Sequence, residues 1–251
     1  MLNMYNADDA LKIGTIVEVS GTSIRVELDG KLTELTRSID GTVYPVGQIA
    51  SIIKIHFGHR TLFAYVRMLR MRSEINIELG AVTSPDHHDS RMLEADLFGE
   101  GIWSPQDNKL NFKRGIKTYP LPQQGVYLTT KDELKELFKG AESTLNEAVD
   151  PTIMLGSYAG VDSASCSANI NKLFGHHCAV LGSTGSGKSA TVASIIHSVL
   201  DKKIGERELT PRILMIDPHG EYSTAFKEKA VVYRAFNSKA GDAAEPQELL
   251  K

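Results

Sequence analysis

The chain has 251 residues, 41% of them hydrophobic and 24% charged, with a formal net charge of −3. This is globular composition, long enough for one large domain or two smaller ones, and its mild acidity excludes a global electrostatic case for nucleic-acid binding. The two cysteines, Cys166 and Cys178, form no CxxC, so neither a disulfide framework nor a zinc site is indicated, and both read as small buried or partly buried residues. The start carries no basic and apolar leader, and no run of about 18 apolar residues occurs, so the expectation is a cytoplasmic protein with no membrane segment.

Residues 11–128 read as β-rich. Ile13, Thr15, Val17 and Val19 lead into Ser20-Gly21, and Ile24, Val26 and Leu28 then alternate with Arg25 and Glu27, the period of a half-buried strand. Asp29-Gly30 is a hairpin signal, repeated at Asp40-Gly41, because tight hairpin turns need positive φ. Further strands are expected at 48–55, 62–71, 92–98 and 125–128, with polar loops at 84–90 and 105–111. Many short strands at this spacing predict a small closed barrel. His87, His88 and Asp89 lack the spacing of a metal site and read as a solvated loop. Lys54, His56, His59, Arg60, Arg67, Arg70 and Arg72, followed by Lys109, Lys113, Arg114 and Lys117, could face nucleic acid or a partner subunit; polar strand faces are the simpler reading.

Thr130-Lys131-Asp132-Glu133 has the form of a capping box, and Leu134, Leu137 and Phe138 supply an apolar stripe, so a helix is expected from residue 131 to about Gly140. The composition then loosens, dividing the chain into residues 1–145 and 146–251. In the second part, His177-Cys178-Ala179-Val180-Leu181 reads as a buried parallel strand, and Val192, Ile195, Ile196, Val199 and Leu200 mark one face of a helix. Arg212-Ile213-Leu214-Met215-Ile216-Asp217 reads as a second strand, completing a βαβ unit with ligand at the carboxyl ends.

Between the first strand and the helix lies Gly182-Ser183-Thr184-Gly185-Ser186-Gly187-Lys188-Ser189, the full G-x-x-x-x-G-K-[ST] pattern of a phosphate-binding loop. Its glycines let successive backbone N–H groups turn inward on a triphosphate, at the positive end of the following helix. Lys188 is expected on the β- and γ-phosphates and Ser189 on Mg²⁺, with ATP contacted by residues 182–189 and Ala190.

This loop, the later Asp217-Pro218-His219-Gly220-Glu221-Tyr222 and a preceding barrel containing Gly47-Gln48-Ile49 together resemble the HerA family of ATPases, relatives of FtsK-type DNA translocases. The resemblance covers essentially the whole chain. It implies an α/β P-loop NTPase core of RecA-like type, behind an all-β HAS barrel. It also implies a hexameric ring that moves DNA using ATP and Mg²⁺, alongside a nuclease such as NurA or a sirtuin-type effector in DNA-end processing or antiphage defence. In the simplest reading, Asp217 holds Mg²⁺ and Glu221 polarises the attacking water. In HerA and FtsK relatives the Walker B strand comes later, so both acids are expected as near-site residues that couple the γ-phosphate to a neighbouring subunit or to DNA movement. Residues 152–251 are expected to hold only the opening of such a motor. The alternative is a non-motor assembly module that forms the ring and docks an effector, with nucleotide bound but not hydrolysed.

Overall fold

In the computed structural model, which describes residues 7–32, 35–39, 41–80, 89–104, 106, 109–142, 151–159, 161–204, 207–226 and 229–233, alternating apolar side chains build a run of antiparallel strands. These are β1 (Lys12–Ser20), β2 (Ser23–Leu28), β3 (Thr36–Ile39), β4 (Thr42–Pro45), β5 (Ile52–Phe57), β6 (Arg60–Met71), β7 (Arg91–Ser104), β8 (Lys109–Arg114) and β9 (Gly125–Leu128). The sheet order is β2-β1-β9-β5-β6-β7-β8, and β2 also pairs with β7 from Ser23↔Asp96 to Glu27↔Met92. That pairing closes six strands into the expected barrel and removes their edges. Strand β7 is long enough to close on β2 with its first half and to carry β8 along Gly99–Ser104 with its second. Inside, Ile13, Ile16, Ile24, Val26, Ile53, Ile55, Leu62, Leu93 and Val126 are at most 1% exposed. Each such side chain contributes about 1.5–3 kcal/mol of burial.

The chain divides into two compact units: Met1–Ser143 with Gly156–Cys166, and Thr144–Leu155 with Ser167–Lys251. Several local expectations change. Asp29-Gly30 makes a turn, with the Lys31 amide donating to Asp29 Oδ1 at 3.0 Å, but no hairpin, because β3 pairs with β4 and not with β2. The expected loop at 105–111 overlaps β8, whose residues find partners on β7. Between β6 and β7 lies an unforeseen helix, α1 (Arg72–Glu78), whose start is tied by the Ser73 amide donating to Asp89 Oδ1 at 3.0 Å. Cys166 is partly buried as expected, whereas Cys178 is exposed. His87 and His88 lie outside the described residues.

The basic stretch resolves into paired strand faces. Glu94 on β7 accepts from Arg67 of β6 at 2.8 Å and from Arg25 of β2 at 3.3 Å, a cross-strand row over three strands. Burial alone would raise the Glu94 carboxyl, and the hydrogen bonds and charges of Arg67 and Arg25 outweigh it and hold it below its ordinary value. Arg60 pairs with Glu100 at 2.7 Å, Arg70 with Glu78 at 2.6 Å and Arg72 with Glu27 at 3.3 Å. Lys54 is not on the surface at all: it is 3% exposed and pairs with Glu133.

His56, next along β5, packs edge-on against Tyr127 with ring centroids 5.2 Å apart, and its Nε2 is buried with no hydrogen-bond partner. Burial, then the Lys54 charge, push its pKa down to about 4 against the pull of Glu133. The folded state therefore lacks a proton that the unfolded chain, titrating near 6.5, takes up. The contribution is absent above pH 6.5 and becomes a growing destabilisation as pH falls toward 4. The expected result is a loss of at most about 2–3 kcal/mol between pH 6.5 and 4.5, read from urea midpoints, and a flatter profile for His56→Phe. An unchanged slope in that variant would contradict the assignment.

The expected helix follows as α2 (Lys131–Glu142), with its capping box in place: Glu133 Oε2 accepts from the Thr130 amide at 2.8 Å and from its hydroxyl at 3.0 Å. Strands β10 (Thr152–Tyr158) and β11 (Val161–Asn169) form a hairpin, and Tyr158 stacks on Phe138 of α2 at 4.9 Å within the first unit. In the second unit, Asn169 caps α3 (Ile170–Phe174) by accepting from the Asn171 amide at 2.9 Å. Next come α4 (Lys188–Leu200) and a minimal hairpin of β12 (Lys203–Ile204) and β13 (Arg207–Glu208). The helix expected from Val192 to Leu200 is therefore present. The strands expected at 177–181 and 212–217 are not: neither segment joins a ladder among the described residues, and Leu181, Leu214 and Ile216 are 89%, 90% and 84% exposed. An apolar run becomes a strand only when another edge accepts its N–H and C=O groups.

Candidate functional site

The site is built around the start of α4. Gly187 is its N-cap with φ +89° and ψ 14°, a left-handed conformation that a side chain would strain. The Thr191 amide and hydroxyl both donate to the Gly187 carbonyl, at 2.8 and 2.9 Å, which locks the first helical turn. Gly182 stands at a close approach of the loop to itself: a Cβ there would lie 2.2 Å from Ser186 Oγ and 3.3 Å from Lys188 Cγ. The Ser186 amide donates to the Ser183 carbonyl at 3.2 Å. The loop 182–187 is exposed throughout, with Lys188 and Ser189 half-buried and Ala190 exposed.

Two side chains of the loop already have protein partners. Lys188 Nζ donates to the Ser183 carbonyl at 2.7 Å, folding the ammonium back over the loop. The Ser189 hydroxyl donates to the Glu221 carboxylate, 32 residues downstream. The structure thus brings together residues 182–189 and Glu221. Asp217 is directed elsewhere: its Oδ2 accepts from the Tyr222 amide at 2.9 Å. That bond, with the amides of Glu221, Gly220 and His219 behind it, holds the Asp217 carboxyl below its ordinary value.

The segment that carries Glu221 is fastened to α4 by contacts with no signal in the sequence pattern. Phe226 is 7% exposed and packs at 4.9 Å from His197, whose Nε2 donates to the Ala225 carbonyl at 3.0 Å. Tyr222 stacks on Phe226 at 6.4 Å, and Lys229 pairs with Asp201 just past the end of α4.

Chemically, the arrangement suits a polyphosphate with a divalent ion. The glycine-shaped bend leads into the N-terminus of α4, where backbone amides can receive phosphate oxygens. Lys188 can exchange a carbonyl for a phosphate oxygen, and the Ser189 hydroxyl is of the hard oxygen type that Mg²⁺ takes. Among the described residues, no group of three or more His, Cys, Asp or Glu side chains could hold a metal by itself. A single hydroxyl such as that of Ser189 is the kind of donor that suits an ion carried with a nucleotide, the usual manner for Mg²⁺.

Comparison with known proteins follows the same residues. The family described as the central domain of helicase HerA matches residues 153–245. A probable helicase of Methanocaldococcus jannaschii is 33% identical over 105 residues, 41% of this chain and 18% of the relative. A probable DNA double-strand break repair helicase HerA of the same organism is 42% identical over 67 residues, 27% of this chain and 12% of the relative. The matched part of the chain thus spans less than a fifth of either relative's length. The glycine-rich loop 182–189 and the Asp217–Tyr222 turn both lie inside residues 153–245, the region of this chain that is similar to the HerA central domain.

Proposed function

We propose that this chain is the ATP-binding part of a cytoplasmic HerA-like DNA translocase or helicase subunit. Residues 1–145 would serve as the ring-assembly barrel and residues 146–251 as the opening of a RecA-like motor. The observation that carries this reading is the pre-shaped loop 182–189, with Lys188 Nζ 2.7 Å from the Ser183 carbonyl and the Ser189 hydroxyl on Glu221. In this reading the loop amides and Lys188 would hold and orient the triphosphate, Ser189 would supply a hydroxyl to the metal, and Glu221, hydrogen-bonded to that hydroxyl, would take a proton from an attacking water. Bound Mg²⁺ would neutralise charge on the β- and γ-phosphates. The HerA resemblance supports a hexameric ring acting on DNA beside a nuclease or a sirtuin-type effector, in end processing or defence, and the double-strand break repair name of one relative supports the DNA part.

Binding of fluorescent ADP to this chain tests the site. Ser189→Ala is expected to leave affinity in EDTA within about twofold and to lose most of the strengthening that Mg²⁺ produces, about tenfold, the worth of one charge-assisted contact. Full Mg²⁺ strengthening in the variant would remove Ser189 from the site. DNA-stimulated ATP turnover by the full-length ring tests the motor reading.

A further inference from the structure

The turn that carries Glu221 is organised by Asp217. Tyr222 donates its amide to Asp217 Oδ2 at 2.9 Å, and Gly220 donates its amide to the Asp217 carbonyl at 3.4 Å. The exit of the turn is fixed separately, by the Phe226 amide donating to the Tyr222 carbonyl at 3.2 Å and by the Phe226 ring against His197 of α4. Between these two fastenings, Glu221 reaches back to the Ser189 hydroxyl. The two acids are four residues apart, and only one of them meets the phosphate loop.

The geometry points to Asp217 as a positioning residue: its carboxylate folds the 218–222 turn onto itself so that Glu221 is presented to Ser189, and it is not a ligand of the nucleotide's metal. This assignment rests on reading 182–189 as a nucleotide site. A carboxylate already accepting backbone N–H groups sits at the positive ends of those dipoles, so a cation approaching it meets donors that point at the same oxygens. Among the described residues, the partner of Glu221 is the Ser189 hydroxyl, which can rotate away at little cost. Asp217 therefore acts on the site through Glu221.

Four variants of this chain decide the matter: Asp217→Ala, Asp217→Asn, Glu221→Gln and Asp217→Ala with Glu221→Gln. In the nucleotide-free protein, amide hydrogen exchange across 219–222 is expected to speed up about tenfold or more in Asp217→Ala. It should stay within about threefold of wild type in Asp217→Asn, whose side-chain carbonyl still accepts the Tyr222 N–H. Fluorescent ADP titrated at rising Mg²⁺ gives the second readout. Asp217→Ala and Glu221→Gln should shift the Mg²⁺ demand by similar factors, about three- to tenfold, with no further shift in the double variant, since two residues acting as a unit do not add. Asp217→Asn should match wild type there. Unchanged exchange in Asp217→Ala overturns the proposal, as does a rise in Mg²⁺ demand for Asp217→Asn equal to that of Asp217→Ala, the signature of a metal ligand. Additive shifts in the double variant overturn the link to Glu221. Should Lys188→Ala bind ADP as well as wild type, the nucleotide reading fails, and the exchange measurement still decides whether Asp217 holds the turn.

Discussion

Lys188→Ala is expected to lower affinity for Mg²⁺-nucleotide by about 10- to 100-fold, the range for losing a hydrogen-bonded charge. ATP turnover by the full-length ring should fall by about 10²–10³ or more, since a positioned cation acts most strongly where phosphate charge develops. The argument begins in the free loop, where the Lys188 ammonium rests on the Ser183 carbonyl at 2.7 Å. That partner is neutral and close by, so the ammonium can leave it for a charged phosphate oxygen without reshaping the backbone. The fold itself should not notice the substitution. Lys188 is half-buried on the first turn of α4, and the turn is locked by Gly187 and Thr191. Melting of the variant should stay within about 0.5 kcal/mol of wild type, as for substitutions away from packed features. Fluorescent-nucleotide titration and phosphate release measure the two effects; retained binding with an intact fold would remove the loop from any nucleotide role.

The loop was legible because its chemistry is local. Glycine at 182 and 187 answers a close approach and a left-handed φ within eight residues, and a capping box such as Thr130 with Glu133 answers donors three residues away. The barrel was legible for a similar reason: a period of two in strands such as β2 records which face is buried. Closure was less visible, because the β2–β7 ladder joins residues about seventy apart and no local pattern names a partner. The same limit explains Glu94, whose two arginines come from different strands, and the basic stretch, whose charges were readable while their carboxylates were not.

The apolar runs at 177–181 and 212–217 mark the other boundary of such reading. Their composition speaks for burial, yet a ladder depends on the edge beside it, and among the described residues none pairs with them. The two acids show the limit at a finer scale. Asp217 and Glu221 are equivalent as residue types for a metal or a water, and only the turn between them separates their tasks, sending one carboxylate to backbone amides and the other to Ser189.

The largest stability effect is expected where the basic stretch runs inward. Lys54 on β5 and Glu133 at the start of α2 are 3% and 4% exposed, and their charged ends meet. Glu133 also accepts from the amide and hydroxyl of Thr130, so one carboxylate caps the helix and neutralises the lysine. Glu133→Ala strands a buried ammonium and uncaps α2, and should lower unfolding free energy by about 3–5 kcal/mol, a large share of the 5–15 kcal/mol typical of a domain. Lys54→Met should be milder, because the glutamate keeps its Thr130 donors while the methionine fills much of the lysine's apolar volume. Lys54→Met combined with Glu133→Gln should recover part of the loss seen in Glu133→Ala, since neither group then carries a buried charge and the glutamine still accepts at Thr130. Urea midpoints for the four proteins make the comparison; a Glu133→Ala midpoint equivalent to less than about 1 kcal/mol would show that the pair is solvated and that α2 is held chiefly by its apolar contacts, Leu134 and Phe138 among them.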